Sequence, residues 1–262
     1  MNWLKGRSHF ILASTLLGLV MVLFLIIPLA ASIGGSTGGA WAIILDPRTV
    51  DAFKTSLLAA TIATTFTLTL GIPLAYVMVR YDFTGKKLIE TLIDIPLLIP
   101  HNAAGIALLS VLSRGTLLGG VAEGLGISFV DSLLGIVAAM SFVSAPFLIR
   151  SAQEAFSSID PDLEKVARSL GASRGQVFRE VQFPLASSGI LTGCLLSWAR
   201  AMSEFGAVVI IAYYPKTVPV YLNEVLAIYG LKAALPIIAV LIVLATVILL
   251  IFRTITKRRS LL

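Results

Sequence analysis

The sequence is poor in the residues from which catalytic and metal sites are built. It has one cysteine and two histidines in 262 residues, and only 13% of its residues are charged. Cys194 alone excludes an intramolecular disulfide, and it falls inside an apolar run, where a thiol packs as a small core residue. His9 and His101 are too few and too far apart to point to a metal site, and no H-E-x-x-H occurs. No G-x-x-x-x-G-K-[ST] occurs either: the "GKK" at 85–87 lacks both the glycine spacing and the hydroxyl of a phosphate-binding loop. Charge is scarce because apolar residues take its place. A soluble domain carries about 25% charged and roughly 45–50% apolar residues, whereas here 57% are hydrophobic and the mean hydropathy is +0.96. Most of this surface is not built for water, and the chain reads as an integral membrane protein.

A helix crosses a bilayer with about 20 apolar residues. Six stretches reach that length: roughly 10–33, 55–79, 88–112, 132–150, 186–212 and 234–252. No barrel-like alternation appears, and lipid leaves no open backbone group satisfied, so all six are expected to be helices in an all-α, polytopic chain forming a single domain over 1–262. The first run follows Lys5 and Arg7 and precedes Ala30, Ala31 and Ser32, as in a signal peptide. Its apolar stretch at 10–29 exceeds the usual ~7–15 residues of such a segment, so it is read as an uncleaved first span. Pro28, Pro73, Pro96, Pro100, Pro146 and Pro236 fall in the runs and can kink them. The connection that opens "GGSTGG" at 34–39 is expected to be flexible, and the glycine-rich 113–131 to lie at the outer surface.

The basic residues set the orientation. With the N-terminus in the cytoplasm, the inner segments hold Lys5, Arg7, Arg80, Lys86, Lys87, Arg150, Lys165, Arg168, Arg174, Arg179, Arg253, Lys257, Arg258 and Arg259. The outer ones hold only Arg48, Lys54, Arg114, Lys216 and Lys232. That bias places both termini in the cytoplasm. It also explains the net charge of +6 without nucleic acid, because the basic residues do not gather on one soluble face.

One cytoplasmic segment interrupts the apolar runs: "PDLEKVARSLGASRGQVFREVQFP", 161–184. Asp160 can cap a helix that opens on Pro161. Leu163, Val166, Ala167 and Leu170 repeat at i, i+3, i+4, i+7 as one apolar stripe, and Gly171 suits a left-handed C-terminal position. Ser173 with Gln176 is a capping box for a second helix, which Pro184 is expected to stop. Helices this short are marginal in water, so the stripe must dock, either on the chain's own cytoplasmic face or on a partner.

The spacing of Ala167, Gly171, Val181 and Phe183-Pro184 resembles the EAA motif of ABC importer permeases. Lys165 and Val166 stand where that family most often has Glu and Ala, with Glu164 adjacent. The run "ARAMSEFGA", 199–207, resembles the "ARALGEFGA" signature of molybdate and tungstate permeases. Sulfate permeases carry a close relative of it, often ending in Ser, and Ala207 tilts toward molybdate/tungstate. "IPLLIPHNAAGIALL", 95–109, and "SRGTLLG", 113–119, resemble further stretches of the same families. The resemblance implies a type I ABC importer permease fold of six transmembrane helices with a cytoplasmic coupling helix. It implies a homodimer seated on two cytoplasmic ABC ATPase subunits and fed by an extracellular or periplasmic oxyanion-binding protein. This chain would need no cofactor, ATP and Mg being bound by the ATPase. Leu163, Glu164, Lys165, Val166, Ala167, Leu170, Gly171, Arg174 and Pro184 would carry the docking.

Arg200 and Glu204, four residues apart, share a helix face. Charges deep in a membrane find partners or line a wet path, so this pair either locks helix packing or lines and gates the pore. Pro100, His101, Asn102, Ser197, Ser203, Phe205 and Gly206 complete the candidate pore set, in which Arg200, the hydroxyls, Asn102 and backbone amides near Pro100 are the donors an oxyanion needs. Two other readings are an ATP-independent carrier, for which Asp94 and Glu204 are the only deep carboxylates, and an intramembrane enzyme, for which no catalytic set is evident beyond Asp94 and His101 seven residues apart.

Overall fold

The computed structural model describes residues 2–36 and 40–259. Residues 37–39 of the glycine-rich connection expected to be flexible lie outside the described residues. Among the described residues the secondary structure is entirely helical. The chain divides into two compact units, one of 1–50 with 222–250 and the other of 51–221 with 251–262.

The first unit holds α1 (Asn2–Gly34), the short α2 (Ala40–Ile44) and most of α13 (Leu231–Arg259). No residue of the apolar window of α1, Phe10–Gly34, is buried. Where α1 ends, a Cβ on Gly35 would lie 2.8 Å from Leu235 Cδ1, so the backbone passes close against α13. Three helices run from one unit into the other: α13, α3 (Pro47–Arg80) and α12 (Val218–Tyr229), the last a short apolar helix that the periodicity of the sequence does not announce.

The second unit is built on α7 (Leu133–Ser157), whose apolar window is 61% buried. Against it pack α3, α4 (Lys86–Leu98), α5 (His101–Leu112), α10 (Phe183–Met202) and α11 (Gly206–Ile211). The contact between α7 and α10 is close because glycines permit it. A Cβ on Gly189 would stand 2.5 Å from Ala155 Cβ, and one on Gly193 2.8 Å from Ser151 Cβ. Lipid tails are as apolar as leucine, so membrane helices associate through such close packing and through polar contacts. A polar contact also fixes α4, where the Arg150 guanidinium holds both Asp94 oxygens, the Gln153 side chain (2.9 Å) and the Glu90 carbonyl (3.2 Å).

Two of the expected spans are not single helices. Four helices are long and apolar enough to cross a membrane, while α4 and α5 pass that test only as a pair bent by 118°. Pro100 excludes the helical conformation at Ile99, which is extended at φ −80°, ψ 146°. The run 186–212 divides as well, into α10 and α11 at 203–205. Within 113–131, Thr116 caps a short helix, α6 (Leu117–Gly124), by accepting from the Gly119 amide.

Gly193→Leu should force α10 off α7, lowering stability by about 1–3 kcal/mol as an overpacked core does. The check is a lower thermal unfolding midpoint in detergent, with Gly120→Leu, whose Cβ meets nothing closer than 3.4 Å, as the control.

Candidate functional site

The two helix breaks face each other. The α4–α5 break presents Pro100, His101 and Asn102, and the α10–α11 break presents Ser203, Glu204, Phe205 and Gly206, with Arg200 one turn before it. Together they line an open hollow of about 710 Å³. Gly206 lets them meet: a Cβ there would lie 2.6 Å from Asn102 Oδ1 and 2.7 Å from His101 Cβ. One turn on, Gly105 does the same, leaving α5 against the Ala207 carbonyl.

Glu204 is the centre of the arrangement and is only 1% exposed. One carboxylate oxygen accepts from Arg200 Nη2 at 2.5 Å, and the other from the Ala207 amide at 2.7 Å, which caps α11. The Arg200 guanidinium also donates to Ser203 Oγ (3.2 Å) and lies 3.0 Å from His101 Nε2. His101 Nδ1 is 3.7 Å from Glu204. A buried carboxylate is tolerable only when paired and hydrogen-bonded, and here both oxygens are engaged. The same side chain thus closes an ion pair and substitutes for the backbone bonds lost at the break. The remaining Arg200 surface and the N-terminal end of α5 border the hollow, an arrangement of donors suited to an anion.

Of the sequence-derived pore residues, Ser197 stands apart. It is fully buried, and its hydroxyl donates to Ser144 Oγ of α7 at 3.1 Å. Asp94 and His101, seven residues apart, do not share a helix face, because the break at Pro100 intervenes: Asp94 pairs with Arg150 and His101 with Arg200.

The interrupting segment is folded as a separate feature. α8 (Pro161–Ser169) is capped by Asp160, whose side chain accepts from the Asp162 amide at 2.9 Å. It ends in a Schellman motif: Gly171, at φ +92°, donates to Arg168 O at 3.0 Å, and Ala172 donates to Ala167 O at 3.1 Å. The stripe is turned outward, with Leu163 46%, Val166 58% and Leu170 83% exposed and Ala167 half-buried. It therefore does not pack on this chain. Lys165 is exposed and bonds Asp162 at 2.7 Å, which holds its ammonium above the usual lysine range. Arg174 is exposed too, whereas Glu164 points back toward Arg80 at 3.9 Å.

The second helix departs from expectation. α9 (Arg174–Gln176) has the Ser173–Gln176 capping box, but Pro184 does not end it. The chain continues through a π-helix (Val177–Gln182) directly into α10, where Pro184 sits in the first turn. The wider π turn, with the Phe183 amide bonded to Phe178 O, accommodates a proline that has no N–H and would crowd a normal α turn.

Residues 67–260 match the family described as binding-protein-dependent transport system inner membrane component. The chain belongs to that family. It is 43% identical, over 215 residues and 82% of each chain, to the molybdate/tungstate transport system permease protein WtpB of Thermococcus kodakarensis. It is 36% identical over 198 residues, 74% of this chain and 72% of the other, to the sulfate transport system permease protein CysT of Salmonella typhimurium. Its fold matches a chain of the bacterial alginate ABC transporter in complex with alginate pentasaccharide-bound periplasmic protein, with a TM-score of 0.76, 18% identity and 98% of each chain covered. The family member is therefore a membrane protein with the permease fold of an ABC transporter.

The sequence marks Arg80 only as an inner positive charge. Its guanidinium collects Phe156 O (3.0 Å), Ile159 O (3.2 Å) and Gln182 Oε1 (2.8 Å). No local pattern announces these partners, because they lie at least 76 residues away in sequence.

Glu204→Ala should cost about 3–5 kcal/mol by leaving the Arg200 charge uncompensated. Removing both charges in Arg200→Ala/Glu204→Ala should cost less than the sum of the single changes, read as unfolding midpoints in detergent.

Proposed function

We propose that this chain is the membrane-spanning subunit of an ATP-driven importer of the oxyanions molybdate and tungstate. Two copies form the pathway, an external binding protein delivers the anion, and two ATPase subunits, which bind the ATP and Mg, drive it from the cytoplasmic side. Both termini lie on that side, consistent with the bias of basic residues among the loops. The single observation that carries the reading is the outward-facing stripe of α8, an apolar face on a short capped helix that this chain leaves uncovered. Leu163, Val166 and Leu170 enter a cleft of the ATPase, with Lys165 and Arg174 at its rim, and Gly171 and the helical path through Pro184 hold them in position. ATP-driven closure of the ATPases then rocks the two permeases as rigid bodies.

The cargo assignment rests on the 43% identity to a molybdate/tungstate permease and on the chemistry of the hollow. Arg200 and His101 meet the anion, and Glu204 competes with it for Arg200. The bound anion is therefore passed on rather than retained, with the pair closing the path again behind it. Ser203 and Asn102 add polar contacts, and Phe205 is the apolar barrier beside them. Sulfate import is the second reading, favoured by the similarity to a sulfate permease.

With the assembled transporter and its loaded binding protein, molybdate and tungstate should stimulate ATP hydrolysis more than sulfate does. Stimulation by sulfate alone would reverse the cargo assignment. Gly171→Pro, which removes the amide bonded to Arg168 O and cannot adopt φ +92°, should insert normally yet fail to capture the ATPase in a pull-down.

A further inference from the structure

The ends of three elements and the turn after α7 meet at Arg80, in the last turn of α3. Its side chain is 10% exposed, and its Nη2 takes acceptors from the end of α7 (Phe156 O), the turn after it (Ile159 O) and the end of the π-helix (Gln182 Oε1). Gln182 is itself fully buried. One turn earlier, Tyr76 seats α3 edge-on against Phe156 (5.5 Å) and Phe178 (4.9 Å), so the region around the guanidinium is packed. Three donors of these side chains nevertheless remain without a hydrogen-bond partner among the described residues: Tyr76 Oη, Arg80 Nε and Gln182 Nε2. The acid nearest to Nε is Glu164 of α8, at 3.9 Å. A buried donor left unmade is costly, and a carboxylate just outside bonding distance is its natural acceptor.

We propose that Arg80 is the positioning residue through which α8 moves the spans, and that Glu164 is the α8 side of that joint rather than a contact for the ATPase. α8 has two faces with different tasks. Leu163, Val166 and Leu170 face outward, while Glu164 faces inward to a guanidinium already bound to α7 and the π-helix. Pressure on the outer face closes the gap between Glu164 and Nε, so the displacement reaches α3, α7 and α10 together. A purely hydrophobic seat would let α8 slide, whereas a charge-assisted bond fixes it in one register.

The inference rests on α8 being the ATPase-docking helix, and two separable measurements test it. In the purified permease alone, amide exchange over 161–176 reports how α8 is held. Arg80→Gln and Glu164→Gln should each speed it severalfold, as loss of the Arg80–Glu164 ion pair at 3.9 Å predicts, and the double variant no further. In the assembly with the ATPase, Arg80→Gln should still capture the ATPase while ATP hydrolysed per molybdate moved rises severalfold. Arg80→Lys should keep the charge but, lacking the fork, not restore that ratio. Unchanged exchange in both single variants, fully additive exchange effects in the double variant, or a normal coupling ratio in Arg80→Gln would each overturn the proposal. Because Glu164 is partly exposed and makes only the one ion pair among the described residues, its variant keeps the test sound if Arg80→Gln does not fold. Failure of the docking reading looks different: the Gly171→Pro chain would capture the ATPase as well as the unaltered chain does.

Discussion

The close approach of α7 and α10 is the constraint on which the second unit depends. In a bilayer no water-driven force brings apolar helices together, so contact has to come from surfaces that fit. Gly189 and Gly193 supply that fit by placing the α10 backbone against Ala155, Ser151 and Leu148. The two helices are also the continuations of everything else that matters. α7 leads through Ile159 into α8, and α10 begins where the π-helix ends and carries Arg200 in its last turn. Fixing this pair therefore relates the amphipathic segment at one end to the helix breaks at the other, without any loop in between having to be rigid.

Breaking a helix within a membrane exposes backbone groups that lipid cannot satisfy. The chain meets that cost locally. Glu204 bonds the Ala207 amide that the interruption of the helix would leave open, and the same carboxylate neutralises Arg200. At the other break, Pro100 has no amide to satisfy, and the Ala104 amide makes the first intrahelical bond of α5, to Pro100 O at 3.1 Å. The polar hollow is thus a consequence of how the breaks are stabilised. The groups that make the interruption tolerable are the ones left facing the opening.

The amphipathic segment shows the opposite economy. Its caps are complete, with Asp160 at one end, the Schellman turn at Gly171 and the box at Ser173, so α8 holds its shape without burying its stripe. Backbone satisfaction substitutes for burial, and the apolar face remains available.

The sequence by itself determined what depends on short-range chemistry. Composition and run length made the chain a membrane protein, and residues at fixed offsets placed the caps of α8 and α9, the turn at Gly171 and the apolar stripe of α8. Local pattern also drew His101, Arg200 and Glu204 to notice, because charged and imidazole groups are rare in such runs. Only the tertiary structure decided the rest. It broke 88–112 and 186–212, carried the helix through Pro184 by way of a π turn, and moved Ser197 out of the hollow to Ser144. It also revealed Arg80 as a junction and turned Glu164 inward. The reason is physical. Hydropathy reports whether a residue prefers lipid, which a broken helix satisfies as well as a straight one. Where the backbone bends, and which distant acceptor a guanidinium finds, are settled by neighbours that approach only after the helices have packed.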